Sequence, residues 1–238
     1  MKILGIIPAR QGSKGIKNKN IKKINNIPLI NYTIHECLKS KIFDKLIVTT
    51  DSKKIATISR KAGALVPFLR PKYLAKDKSL AIPTIKHALK KTEEIYNENF
   101  DIVCMLQPTT PLRRAKDCIK IKNIMKNNLN KIDSIISVVN VNNNHPIKMK
   151  KINKNNFLVD YVNWSVENPP RQSLPPVYIV NGAFYMCKRD VILKQNSFKG
   201  NNCLPFIMDP KYSINIDSEI DFKLAEIILN SQRQISIR

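Results

Sequence analysis

"KILGIIPARQGSKGIKNKN", Lys2 to Asn20, is the stretch from which the rest of the chain is read. Ile3, Leu4, Ile6 and Ile7 form an apolar run without polar alternation, and Pro8 ends it. A run of this kind suits a strand buried on both faces, as in parallel sheets. The segment behind it has the opposite character, with Arg10, Lys14, Lys17 and Lys19 set among Gly12, Ser13 and Gly15. Glycine lets a backbone approach a ligand closely, and exposed amides form an anion-binding concavity. Cations at this density repel one another unless an anion compensates, and a nucleoside triphosphate carries about four negative charges. The order of residues is neither a Walker A loop nor G-x-G-x-x-G, which excludes those two phosphate-binding devices. On charge alone, a solvated basic loop stays open as a reading.

Outward from this stretch, strand and helix patterns alternate. "PLINYTIHECLKS" puts Leu29, Ile30, Ile34, Cys37 and Leu38 on one helical face, with Pro28 near its start. "KLIVTTD" is a second strand, "SKKIATISRKAG" a helix closed by Gly63, and "ALVPFL" a short third strand. "PTIKHALKKTEEIY", "DIVCMLQ", "RAKDCIKIKNIMKNN" and "DSIISVVNV" continue as helix, strand, helix and strand. "VYIVNGAFYMCK" reads as a strand and "SEIDFKLAEIILN" as a closing helix. The alternation predicts an α/β fold with a doubly wound, mostly parallel sheet. Ligands of such sheets sit at the carboxyl ends of the strands. The loops after the first strand, after "DIVCMLQ" and around "SINIDSEID" then meet. Residues 142–176 break the pattern, with short strands, Asn-rich turns and the proline-rich "ENPPRQSLPP". We expect a single domain over 1–238, with 142–176 as a small β-rich arm.

Composition narrows the partners. The 238 residues include 41 Lys and Arg against 18 Asp and Glu, a formal net charge of +23. Such an excess fits nucleic acid or an anionic membrane surface. However, the lysines are scattered, arginine is sparse, and at 7% aromatics the chain lacks stacking platforms for single strands. We therefore expect no nucleic-acid or membrane partner. Cys37, Cys104, Cys118, Cys187 and Cys203 form no C-x-x-C pair and mostly sit in apolar runs, as buried thiols of a reducing compartment do. His35, His87 and His145 are too dispersed for a zinc site. The apolar start is too short for a signal peptide, and no stretch approaches membrane-spanning length. A cytoplasmic location is expected.

The order of residue types adds a resemblance. "IPARQGSKGIKNKNIK" resembles the opening motif of the CMP-sugar synthetases, R-x-x-S-K-G-x-x-x-K-N, on Arg10, Ser13, Lys14, Gly15, Lys19 and Asn20. "RPKYLAKD" resembles that family's R-P-x-x-L-A-x-D segment, with Arg70, Pro71, Leu74, Ala75 and Asp77. "LQPTTPLR" resembles its loop after the central strand, with Gln107, Thr110, Pro111 and Arg113. "RQSLPPVYIVNGAFY" matches a further signature at Arg171, Asn181, Gly182 and Tyr185, and "NIDSEIDFKLAE" matches the ending. The matches span essentially the whole chain, in order.

The resemblance implies a homodimeric cytidylyltransferase. It would transfer CMP from CTP to the anomeric hydroxyl of a nine-carbon acid sugar, N-acylneuraminate, legionaminate or similar. Arg10, Lys14 and Lys19 would cradle the triphosphate and oppose charge on the leaving pyrophosphate, with Gly12, Ser13 and Gly15 completing the cradle. Asn20 would hold the ribose or the loop. Cytosine would be read by Ala9 and the segment from Arg70 to Ala81, with Asp77 and Ser79 in it; Leu80 and Ala81 replace serines of relatives. Gln107 would meet the sugar. Lys148 and Arg171 of the arm would reach its carboxylate, one of them across the dimer, and Tyr185 would wall the pocket. Lys148 as plain surface, and Tyr185 and Phe198 as core aromatics, stay open. Mg²⁺ would be held at "INID", where the family carries D-I-D. Asn215 replaces the first aspartate and Asp217 keeps the second, unless Asp217 only caps the helix that follows. Two other readings remain: transfer to another acid sugar such as an eight-carbon ulosonate, and a non-catalytic basic protein that binds nucleic acid.

Overall fold

The computed structural model describes residues 1–13, 15–141, 144–163 and 169–235, except for the side chains of 171 and 232–235. The opening apolar run is strand β1 (Ile3–Pro8). Its side chains split between two fully buried clusters. Ile3 and Ile7 pack with Ile34 and Cys37 of helix α1 (Leu29–Ser40), while Leu4 and Ile6 pack with Ile85, Ala88 and Leu89 of α3 (Ala81–Tyr96). A strand covered by helices on both faces has no solvent side on which to place polar residues.

The main sheet has six strands in the order β10-β6-β9-β5-β1-β4. β4 (Lys45–Thr49) and β5 (Ile102–Met105) flank β1 in parallel, placing Ile47 and Met105 beside Ile6. β9 (Tyr178–Lys188) runs antiparallel between β5 and β6 (Ser134–Asn140), and β10 (Cys203–Ile207) pairs with β6 in parallel at the edge. The mostly parallel doubly wound α/β sheet expected from sequence is thus present, with one reversed strand in its middle. Helices α2 (Lys53–Lys61), α4 (Ala115–Asn127), α5 (Arg189–Leu193) and α6 (Glu219–Ile235) complete the layers. Ser52 starts α2 by accepting a hydrogen bond from the Ile55 amide at 3.4 Å.

Two local readings are corrected. "ALVPFL" is no strand: only Leu65 bridges to β4, and Pro67 lacks the N–H that would extend the ladder. The edge strand β10 carries no strand pattern in the sequence, because Pro205 interrupts it. An edge strand tolerates proline where the missing donor would face away from the sheet.

Two small hairpins lie outside the main sheet. β2 (Lys23–Ile24) and β3 (Ile27–Pro28) follow the basic loop, and β7 (Lys150–Ile152) pairs with β8 (Leu158–Asp160) inside the expected arm. The arm hairpin leaves Ile152, Phe157 and Leu158 about two thirds exposed or more (71%, 66% and 69%). Among the described residues, no helix is long and apolar enough to cross a membrane.

Candidate active site

The carboxyl ends of β1 and β5 open into a cavity of about 520 Å³. The basic loop supplies Arg10, Ser13, Gly15, Lys19 and Asn20 to its wall. The loop after β5 supplies Gln107, Pro108 and Thr109, and the segment before α6 supplies Asn215 and Asp217. A larger cavity of about 790 Å³ lies at the amino ends of β1 and β5. Its charged groups are already engaged, Arg189 with Glu93 at 2.7 Å and Asp101 with the Lys2 amide at 2.7 Å. Size therefore does not locate the chemistry; convergent polar groups do.

The basic loop is held from inside. Buried Asn20 donates from Nδ2 to the Arg10 carbonyl at 2.9 Å, so it braces the loop itself. Ile16 packs with Ile216 and Phe222, drawing the loop against the start of α6. A Cβ at Gly15 would lie 2.6 Å from the Asp217 carbonyl oxygen, so glycine is what permits this approach. Lys19 Nζ then donates to the Ile216 carbonyl at 2.6 Å and to Asp217 Oδ1 at 3.0 Å. On the other wall, Arg10 pairs with Asp77 Oδ1 at 2.5 Å. Arg10 and Lys19 thus each meet a carboxylate, which relieves their mutual repulsion.

Gln107 sits opposite. Its side-chain Oε1 lies 2.3 Å from where Gly182 would carry a Cβ, and Gly182 itself has φ +77, a conformation in which any other residue is strained. Its backbone carbonyl accepts hydrogen bonds from Thr110 Oγ1 at 3.1 Å and Arg113 Nη2 at 3.0 Å. The same loop fastens the third segment, because the Ile216 amide donates to the Thr109 carbonyl at 2.8 Å.

On that segment the helix-capping role falls to Ser218. Its Oγ accepts from the Asp221 amide at 3.3 Å, while Asp221 Oδ2 takes the Ser218 amide at 2.8 Å, a reciprocal cap. The Asp217 carboxylate is left to Lys19 and to Asn215 Nδ2, at 2.8 Å. Asn215 Oδ1 is buried without a hydrogen-bond partner and lies 3.8 Å from the Gly182 Cβ position, close to Gln107. One carboxylate and one unsatisfied amide oxygen are hard oxygen donors of the kind Mg²⁺ takes. Among the described residues no group of three His, Cys, Asp or Glu could hold a metal, so phosphate oxygens and water would supply the other ligands.

Several expected site residues lie elsewhere. Ala9 is fully buried, its amide donated to the Thr49 carbonyl at 3.0 Å. Gly12 faces open space, with nothing within 4 Å of where a Cβ would stand, and does not line the cavity. Arg70 is buried behind the end of β4, donating to the Thr49 carbonyl at 2.5 Å; burial pulls its guanidinium down to about 10, against the opposing influence of Asp51. Asp77 does not line the cavity and pairs with Arg10 beside it, and Ser79 Oγ turns to the Tyr73 carbonyl at 3.1 Å. Lys148 is exposed on the arm. Tyr185 is half-buried against Phe198, ring centroids 5.2 Å apart, and burial raises its phenol. Lys14 and the Arg171 side chain lie outside the described residues. Pro108 and Thr109 were missed, since neither bears charge or periodicity; only their place beside Gln107 could have flagged them.

A six-stranded α/β sheet with this cationic cavity at its strand ends has the fold of a nucleotidyltransferase. A family model described as cytidylyltransferase matches residues 4–194, and the chain belongs to that family. It is 35% identical over 237 residues to a CMP-N,N'-diacetyllegionaminic acid synthase of Campylobacter jejuni, covering 96% of this chain and 95% of the relative. It is 34% identical over 236 residues to an N-acylneuraminate cytidylyltransferase of Escherichia coli, covering 99% of this chain but 54% of that longer protein. The structure of a CMP:2-keto-3-deoxy-manno-octonic acid synthetase complexed with CTP shares the fold, with TM-score 0.72 at 15% identity over 98% of this chain and all of the other.

Proposed function

We propose that this cytidylyltransferase moves CMP from CTP to the anomeric hydroxyl of a nine-carbon acid sugar of the N-acylneuraminate or legionaminate type. The sugar oxygen forms a bond to the α-phosphorus, and the bond to pyrophosphate breaks. The observation that carries this reading is the convergence of Arg10, Lys19, Gln107 and Asp217 on one cavity. Transfer of this kind needs charge neutralisation and alignment more than covalent help from the protein. Arg10 and Lys19 would offset the charge of the triphosphate and of the departing pyrophosphate, and Lys14 joins them by sequence alone. Gln107, braced from both sides, would orient the acceptor sugar. Asp217 and Asn215 Oδ1 would hold Mg²⁺, which when bound neutralises phosphate charge. The exposed apolar arm hairpin supports a homodimer, and five free thiols support a cytoplasmic setting.

The test is pyrophosphate release by the purified chain with CTP, UTP or ATP against neuraminate, legionaminate, pseudaminate and an eight-carbon ulosonate. Release is expected with CTP and a nine-carbon acid, because a site that pairs the polar edge of one base leaves groups unpaired with another. Preference for the ulosonate, or equal use of ATP, would overturn the assignment. So would tight, steeply salt-dependent DNA binding without pyrophosphate release.

A further inference from the structure

Arg113 heads the fully enclosed side chains by volume among the described residues, and the transfer chemistry above makes no use of it. No carboxylate pairs with it there; its donors go to neutral oxygens. Nε donates to the Ala183 carbonyl at 2.8 Å, Nη1 to Thr33 Oγ1 at 2.9 Å, and Nη2 to the Gln107 carbonyl at 3.0 Å and Thr110 Oγ1 at 3.2 Å. The cation also lies over the Phe184 ring, 5.2 Å from its centroid. Burying a guanidinium without an anion is costly, and an apolar side chain would fill the volume at less cost. What the guanidinium adds is a planar fork that donates in several fixed directions at once, which lysine cannot reproduce.

Two of those directions define the seat of Gln107. One pins the Gln107 backbone. The other pins Ala183, directly after Gly182, whose bare Cα is the surface against which Gln107 Oε1 rests. Thr33 ties the fork to α1 and so to the core. We infer that Arg113 is a positioning residue for the acceptor sugar: it locks the backbone of Gln107 and the backbone that receives its side chain into one register, aiming the Gln107 amide into the cavity. The inference rests on the transfer function proposed above.

A double-mutant cycle tests it, with acceptor and CTP kinetics measured separately and folding followed by circular dichroism and thermal unfolding. Arg113→Lys should lower kcat/KM for the acid sugar on the order of a hundredfold, the scale of a misplaced positioning group, and leave KM for CTP within about twofold. In a Gln107→Ala background the same substitution should change acceptor kcat/KM by less than about twofold, because the group it aims is gone. Thr110→Val, which removes one hydroxyl from the same lock, should show the pattern at smaller amplitude and replaces Arg113→Lys if that variant does not fold. Losses that recur undiminished without the Gln107 side chain, or that strike CTP as hard as the sugar, overturn the positioning role alone. A wild-type chain that transfers CMP to no acid sugar overturns it together with the function on which it rests.

Discussion

Asp217 and Asn215 differ from a carboxylate pair by one charge, and the hydrogen bonds at the start of α6 separate the metal role proposed for Asp217 from a capping role. Since Ser218 and Asp221 cap α6, Asp217→Asn should leave the melting temperature nearly unchanged. It should remove nearly all transfer at any practical Mg²⁺ concentration, in one titration of rate against metal. Retention of most turnover would end the metal assignment. Asn215→Asp should lower the Mg²⁺ needed for half-maximal rate, because a formal charge replaces an orphaned amide oxygen. Gly182→Ala is a harsher change. It forces a side chain into φ +77 and onto Gln107, so a destabilisation of about 1–3 kcal/mol should accompany loss of acceptor turnover. A variant of normal stability and rate would show that Gln107 can sit elsewhere.

Edge strand β10 and the turn before it hang on one carboxylate. Asp133 Oδ2 accepts from the amides of Asn202 at 3.1 Å and Asn201 at 3.0 Å, and Lys188 approaches Oδ1 at 3.4 Å. The Asn202 and Asn201 amides, with help from Lys188, hold its pKa below the usual carboxylate value. A depressed folded pKa means that the anion stabilises the fold above the unfolded value of about 4, and that this contribution fades as pH falls through the lower, folded value. The melting temperature of Asp133→Asn should therefore lie furthest below wild type near neutral pH, with the gap closing in acid. A gap that is constant with pH would mean that the turn does not depend on the charge.

Across the molecule, the arm and the first residues of β9 carry the most telling exposed apolar surface. Tyr178, Ile179 and Val180 are 40%, 57% and 47% exposed at the end of a strand whose remainder is largely buried. Ile152, Phe157 and Leu158 on the hairpin are exposed as well, and the proposed homodimer would cover these side chains. Wild type is expected to scatter light as the proposed dimer, and replacing Phe157 and Leu158 together by Glu should give a monomer. The hairpin lies outside the main sheet, so the melting transition should persist while the apparent affinity for the acid sugar falls. A wild-type monomer with full activity would remove the shared-site picture.

Much of this protein is legible along the chain because its causes are local. An unbroken apolar run makes β1 a doubly covered strand wherever it is packed, and helical spacing gives α1 and α3 their buried faces. The basic loop points to an anion through the order of its residue types, which charge density alone leaves undecided. The two elements read differently in the structure both turn on a proline at the sheet's edges: "ALVPFL" pairs with β4 at Leu65 but cannot continue through Pro67, and β10 carries a proline that an edge forgives. The site divides in the same way. The residue types of the cradle could be read in order, but not that Lys19 would close on Asp217, 198 positions away, nor that Ala9, Arg70 and Tyr185 would turn inward. Nor does any local pattern mark Arg113 as a buried cation behind Gln107, since an arginine after "TTPL" reads as surface. Sequence order chooses the elements because backbone and burial preferences act over a few residues. Tertiary structure chose which side chains share the cavity, because the reversed strand β9 and the segment before α6 are brought beside the end of β5 by long-range pairing and not by neighbouring residues.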